Sequence, residues 1–385
     1  MTRPPIVNTH VHLPPNFSAF STVVDAVETA AAQGVRAVGV SNFYDQRVYR
    51  RFADLAAEAG VVALYGLELI TVVADLEAAG TRVNDPANPG RVYVCGKGID
   101  PFRKKSPEAA ATAAEIRRGN DARAEQMLTS LSAHLQTAGL PASLDAPGVA
   151  AAVAARAEVP VEWVSLQERH IAQAVEETVS ALPRQQRARL LERAYGAPGS
   201  ADLDDPAALQ AEIRSRLLKA GRPGFAPEVP LTFEAAYRYV LAMGGIPCYP
   251  TLADGADPVC PFEEPPAALA QRVRERGIVL AELIPVRNRS AVVDAYVEAF
   301  TAAGIEVVAG TEHNTVDRVP YDPACVDGPV SEASRQAFYE GTCIVAAHQA
   351  RVAVGEPGFV DESGARAADR DRLVAEGRAI IEGAA

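Results

Sequence analysis

The sequence predicts an α/β barrel carrying a large helical insertion. Three observations point to it. Apolar runs of strand length alternate with helical stretches in the first 100 residues and again after residue 226. Between these blocks, residues 101–225 are mostly Ala, Arg, Glu, Leu and Gln with scattered Pro, a composition that favours helix. Polar residues able to do chemistry stand where the apolar runs stop, and α/β barrels place their sites at that rim.

The elements follow in order along the chain. Pro5 to Thr9 is a short apolar strand that leads into His10-Val-His12. Ser21 to Gln33 has helical spacing and stops at Gly34. Val35 to Val40 reads as a buried strand, Asp45 to Ala59 as a helix stopped by Gly60, and Val61 to Leu67 as a third strand. Short links between such elements require parallel strands joined by crossover helices. Asn84 to Gly90 is a loop rich in Pro, Gly and Asn, and Arg91 to Val94 a short strand. The insertion follows. Alternation resumes with a helix from Thr232 to Met243, a strand from Gly245 to Tyr249 and a helix from Pro265 to Arg276. A strand from Ile278 to Ile284, a helix from Ser290 to Ala303 and a strand from Ile305 to Ala309 complete it. Residues 1–100 and 226–330 are thus expected to form the barrel, 101–225 the insertion, and 331–385 a helical C-terminal segment.

Composition narrows the partners. The 385 residues are 48% hydrophobic and carry a formal net charge of −12, from 37 Lys+Arg against 49 Asp+Glu. An acidic chain of this kind disfavours nucleic acid and anionic membranes, which need a basic face. It permits a small anionic substrate, because a metal or a few arginines reverse the field inside a pocket. The five cysteines are widely spaced and contain no C-x-x-C pair, so a disulfide framework is not expected. With no apolar stretch after the first residues, no leader is apparent, and a reducing cytoplasm is the expected compartment.

Six histidines can be placed one at a time. His10 and His12 stand two residues apart at a strand end, so both imidazoles can grip one cation. Glu68 interrupts the strongly apolar third strand at its C-terminal end, where a carboxylate is costly unless paired or bound to a cation. Gly310-Thr-Glu-His-Asn-Thr315 directly follows the last strand and offers Glu312 and His313. A mixed nitrogen and oxygen set of this kind suits zinc, manganese or iron, as one or two ions.

Asn8-Thr-His-Val-His12, the strand Gly34 to Val40, Gly66-Leu-Glu-Leu69 and Gly310-Thr-Glu-His313 resemble the polymerase and histidinol phosphatase (PHP) family of metallohydrolases. The resemblance covers about residues 5–70 and 232–320. It implies a distorted seven-stranded (β/α)7 barrel, bound divalent metals and hydrolysis of phosphate esters. By position, His10 and His12 match the family's first metal pair, Glu68 its bridging carboxylate, and Glu312 and His313 its last motif. The chain departs from the family at three points. Ser41-Asn-Phe43 stands in place of Thr-Asp-His, and Cys248-Tyr-Pro250 in place of His-Pro. Glu312 directly precedes His313, where the family has Asp-x-His. At least two family ligands are therefore missing, and either the site holds fewer metals or other residues substitute.

His170 is the first substitute to consider. Ser165 and Glu168 fit a capping box, which would place His170 in the first turn of a helix. There the helix start favours its neutral, ligating form. His348 lies in an apolar run and reads rather as a satisfied core histidine. Arg287 and Arg289 follow a strand and offer guanidinium forks for a phosphate or carboxylate. Lys97, flanked by glycines, offers a further anion contact. The expected activity is metal-dependent hydrolysis of a small anionic substrate by metal-activated water, with Glu312 and His170 as the catalytic pair. Two alternatives remain at this stage. One is a metal-dependent lyase, isomerase or lactonase acting on a sugar or sugar acid. The other is a non-catalytic binding protein on a decayed barrel.

Overall fold

A computed structural model describes residues 3–140 and 143–383. Met1 and Thr2, part of the N-terminal stretch read above for a leader, lie outside them. Eight strands form the main sheet: β1 (Ile6–Val11), β2 (Val35–Val40), β3 (Val62–Val72), β4 (Arg91–Lys97), the two-residue β5 (Leu231–Thr232), β6 (Ile246–Thr251), β7 (Leu280–Leu283) and β8 (Glu306–Ala309). Seven of them run in the order β1-β2-β3-β4-β6-β7-β8, and β5 pairs with β3. The two ends of this order meet. Val11 bridges Glu312, the His12 N–H donates to the Glu312 carbonyl at 2.8 Å, and the Glu312 N–H donates to the His10 carbonyl at 2.8 Å. The sheet is a nearly closed barrel, and its seam runs through the histidines.

One strand departs from the all-parallel expectation. β4 pairs antiparallel with both β3 and β6, while the other neighbours along the order are parallel. The expected short strand Arg91 to Val94 extends to Lys97. An apolar run of four residues carries no information on strand direction, which is set by where the chain enters.

Side chains alternate across each strand. Val7, Ala37, Leu64, Cys95, Ile246, Cys248, Leu280 and Val308 form one apolar cluster with Ile344, Val345 and Ala347. These last residues belong to α12 (Glu332–Ala353), which packs with α13 (Arg370–Gly383). The C-terminal segment therefore completes the barrel's own core. Two residues further along, the same strand faces carry Thr9, Gly39, Gly66, Lys97, Glu282 and Gly310. At Gly310 a Cβ would lie 2.2 Å from the His10 Cβ. Only a glycine lets β8 approach β1 there. Gly310→Ala is expected to cost about 1–3 kcal/mol through overpacking, read by urea unfolding. A variant of unchanged stability would contradict this close seam.

The crossover helices are α1 (Val23–Ala32), α2 (Tyr49–Glu58), α9 (Phe233–Ala242), α10 (Pro266–Glu275) and α11 (Ser290–Ala302), with a single-turn α3 (Ala74–Ala78) after β3. The insertion holds α4 (Pro107–Thr137), α5 (Ala146–Ala157), α6 (Glu168–Ser180), α7 (Arg184–Tyr195) and α8 (Pro206–Ile213). It has its own apolar cluster, including Met127, Leu131, Ile171, Val175, Leu209 and Leu217. Ala109 belongs instead to the cluster of α1, α2 and α9 on the barrel wall. α4 thus joins two cores.

Candidate metal centre

β1 carries His10 at its end, and His12 follows it. Both are buried, as is Glu68 on β3. His10 Nε2 lies 3.3 Å from His12 Nε2. Glu68 Oε2 lies 3.3 Å from His12 Nε2 and 3.8 Å from His10 Nε2. Ligands about 2.1 Å from a tetrahedral ion stand about 3.4 Å from one another, so the three separations fit one first-row metal. His12 Nδ1 is buried without a hydrogen-bond partner among the described residues.

Electrostatics suit these residues to holding a cation. Burial pushes the His12 imidazole down to about 4, so it is neutral and able to ligate. Burial pushes the Glu68 carboxyl well above the usual range, and the Glu312 and Glu282 charges add to this. A carboxylate so placed calls for a cation.

Glu282, on β7, is the functional residue that the sequence reading missed. It is fully buried, and its Oε2 lies 2.7 Å from His10 Nδ1. Burial alone would raise its pKa, but Lys97 and His10 outweigh that and hold it ionised well below the usual range. An ionised carboxylate can only accept, so His10 Nδ1 carries the proton and Nε2 turns its lone pair toward His12 and Glu68. The arrangement is the one in which an outer-sphere carboxylate orients a metal-binding histidine. A signal was present, because Glu282 interrupts an apolar strand as Glu68 does.

Lys97 lies away from solvent, contrary to its reading as an exposed anion contact between glycines. It is 2% exposed, and its ammonium donates to Glu282 Oε1 at 2.6 Å, the Thr9 carbonyl at 3.0 Å and Ser41 Oγ at 3.0 Å. The anion it meets is Glu282. Burial would lower its basicity, but Glu282 more than restores it, so the pair is charged. His10, Cys95 and Glu282 also converge within 4.8 Å. Their donors are already engaged, and burial keeps the Cys95 thiol protonated.

The last motif divides. Glu312 lies at the seam with φ of 59°, followed by His313 at 51°, a left-handed pair that non-glycine residues adopt at some cost. Glu312 Oε2 pairs with Arg287 and accepts from Asn314 Nδ2 at 2.6 Å. Burial would raise it, but Arg287, His10 and His12 hold it ionised. His313 does not join the donor set. Its Nδ1 lies 2.7 Å from Thr311 Oγ1 and its Nε2 2.9 Å from the Val319 carbonyl, and Phe20 stacks on the ring. Both nitrogens are spent on holding the loop.

The remaining residues are placed as follows. The cap of α6 is Gln167 rather than Ser165, and His170 Nδ1 accepts from the Gln167 N–H at 3.1 Å. His170 packs beside Phe17, outside the donor trio. Burial holds its imidazole down to about 3, so it is neutral. His348 is a core histidine. Its Nε2 lies 2.8 Å from the Gly244 carbonyl, and its Nδ1 accepts from the Phe359 N–H. Arg287 is spent on Glu312. Arg289 is exposed, and its guanidinium pairs among the described residues with Asp254 alone, at 3.5 Å.

No protein-family model matches the chain, and no curated protein matches its sequence. Solved structures share its fold, two of them as follows. One is an amidohydrolase from Chromobacterium violaceum, solved with sulfate bound and no metal. It is 17% identical, with a TM-score of 0.51, over 86% of this chain and 96% of that one. The other, from Bifidobacterium adolescentis, is provisionally named a metal-dependent phosphoesterase. It is 15% identical, with a TM-score of 0.57, over 88% of this chain and 97% of that one. At these identities the likeness establishes a mixed α/β barrel fold. No helix among the described residues is long and apolar enough to cross a membrane.

Proposed function

We propose that the protein is a metal-dependent hydrolase of a small anionic substrate, with a phosphate ester as the first candidate. The observation that carries this reading is the convergence of His10 Nε2, His12 Nε2 and Glu68 Oε2 within 4.8 Å at the barrel rim. The fold shared with an amidohydrolase and a named phosphoesterase supports it. A divalent zinc, manganese or iron held there would supply Lewis acidity and lower the pKa of water toward about 7.

The chain's own residues do the rest. Glu282 fixes the His10 tautomer and ring plane, and Lys97 neutralises Glu282 so that the buried carboxylate does not repel substrate. Glu312, held ionised next to His10 and His12, is the carboxylate placed to take a proton from an attacking water. His170, neutral and engaged by its own helix cap, supports the loop after β1 and carries no proton in the reaction.

Purification without chelator followed by elemental analysis tests the reading. We expect close to one equivalent of transition metal per chain and release of phosphate from some member of a phosphoester panel. Less than about half an equivalent, with no recovery on adding zinc, manganese or iron, would overturn it. Turnover of sugar acids instead of phosphoesters would keep the metal centre and change the reaction.

A further inference from the structure

Among the described residues, no carboxylate pairs directly with Arg169, although Glu312 and Glu168 lie within reach of its charge. Arg169 lies in the first turn of α6, half-buried, and makes no ion pair or hydrogen bond among the described residues. Its guanidinium stands 5.8 Å from the centre of the Phe17 ring. The neighbouring arginines differ. Arg214 is satisfied by Glu168, and Arg287 by Glu312.

Contacts along the rim place Arg169 by the donor trio. Phe43 stacks on His12 with ring centres 5.2 Å apart. The Phe43 N–H donates to Asn16 Oδ1 at 2.7 Å, and Gln167 Nε2 donates to the same oxygen at 3.2 Å. Gln167 Oε1 in turn accepts from the Phe17 N–H at 2.6 Å. Gln167, the residue that caps α6, thus bolts the helix onto the loop that follows His12. Arg169 lies over Phe17 on that same loop, and its charge acts on both His12 and Glu312.

We propose that Arg169, delivered by the helical insertion, is the oxyanion-binding residue of this site and holds the substrate's phosphoryl group over the His10, His12 and Glu68 donors. The inference rests on the hydrolase reading of those donors. A half-buried guanidinium that feels the charges of Arg214 and Arg287 and makes no direct ion pair among the described residues is relieved by a doubly charged oxyanion. A planar fork suits phosphate, with two parallel N–H donors. The insertion is then part of the substrate site, and specificity for the group beyond the phosphoryl falls to the surfaces around α6.

Inorganic phosphate is the probe. Its dissociation constant is measured calorimetrically for the full chain, metal-loaded and chelated, in wild type, Arg169→Gln and Arg169→Lys. Metal content is read on the same samples. We expect Arg169→Gln to weaken phosphate on the order of tenfold to a hundredfold, the range for a charge-assisted hydrogen bond, with metal content unchanged and partial recovery in Arg169→Lys. Equal phosphate affinity in wild type and Arg169→Gln overturns the proposal, as does a metal-loaded wild type that binds no phosphate. Arg169-dependent phosphate binding in a protein that holds no metal supports the oxyanion site and overturns the metal reading instead.

Discussion

Replacing His12 with alanine is expected to abolish stoichiometric metal binding and, with it, hydrolysis. The loss should be well above the roughly 10–100-fold in metal affinity that removal of an outer-sphere partner costs. Glu282→Gln supplies that comparison. It keeps the size of the side chain next to His10 Nδ1 but weakens its hold on the ring's proton, so zinc affinity should fall within that range. Equilibrium dialysis against zinc with elemental analysis reads both variants. His12 stands 3.3 Å from both His10 and Glu68, so no described donor of the trio compensates for it. A His12→Ala protein that still binds zinc stoichiometrically would show that the trio is not the metal site. A Glu282→Gln protein with wild-type affinity would show that the carboxylate does not orient His10.

The second large effect concerns stability. Lys97→Met should destabilise the fold by about 3–5 kcal/mol, because it leaves the Glu282 carboxylate buried without its ammonium. Chemical denaturation at neutral pH gives the number. The double variant Lys97→Met/Glu282→Gln should recover much of it, since replacing a whole buried pair is often close to neutral, and the cycle isolates the coupling. A Lys97→Met protein within about 1 kcal/mol of wild type would mean that Glu282 is solvated or protonated in the native state.

Much of this site was legible in the sequence, for a simple reason. His10, His12 and Glu68 are polar residues at the ends of apolar strands, and a barrel gathers strand ends on one rim. Glu282 carries the same mark, a lone carboxylate inside the apolar run Ile278 to Ile284. Lys97 was misplaced because β4 runs three residues longer than its apolar core and in the opposite sense. That turns an expected loop lysine into one inside the barrel. His313 matched a ligand pattern, but its two nitrogens meet Thr311 and the Val319 carbonyl. A backbone carbonyl six residues away leaves no trace in composition or spacing. Only tertiary packing shows which of several arginines lacks a carboxylate.

The reversed β4 has a consequence for how the insertion is aimed. Running against β3, it delivers the chain to the barrel end opposite the histidines, where the Asp100 N–H donates to the Met243 carbonyl. α4, with 31 residues and a length of about 46 Å, then carries the chain back past Asp45 to the level of α6. This helix acts as a ruler. Removing one residue from its middle turns everything beyond by about 100° and withdraws it by about 1.5 Å. Removing a whole turn nearly preserves the facing and changes only the height. Asn120 on that helix donates to the Leu166 carbonyl at 3.0 Å, just ahead of α6, so the phase of a helix far from the histidines bears on how the start of α6, with Arg169, meets the barrel loop.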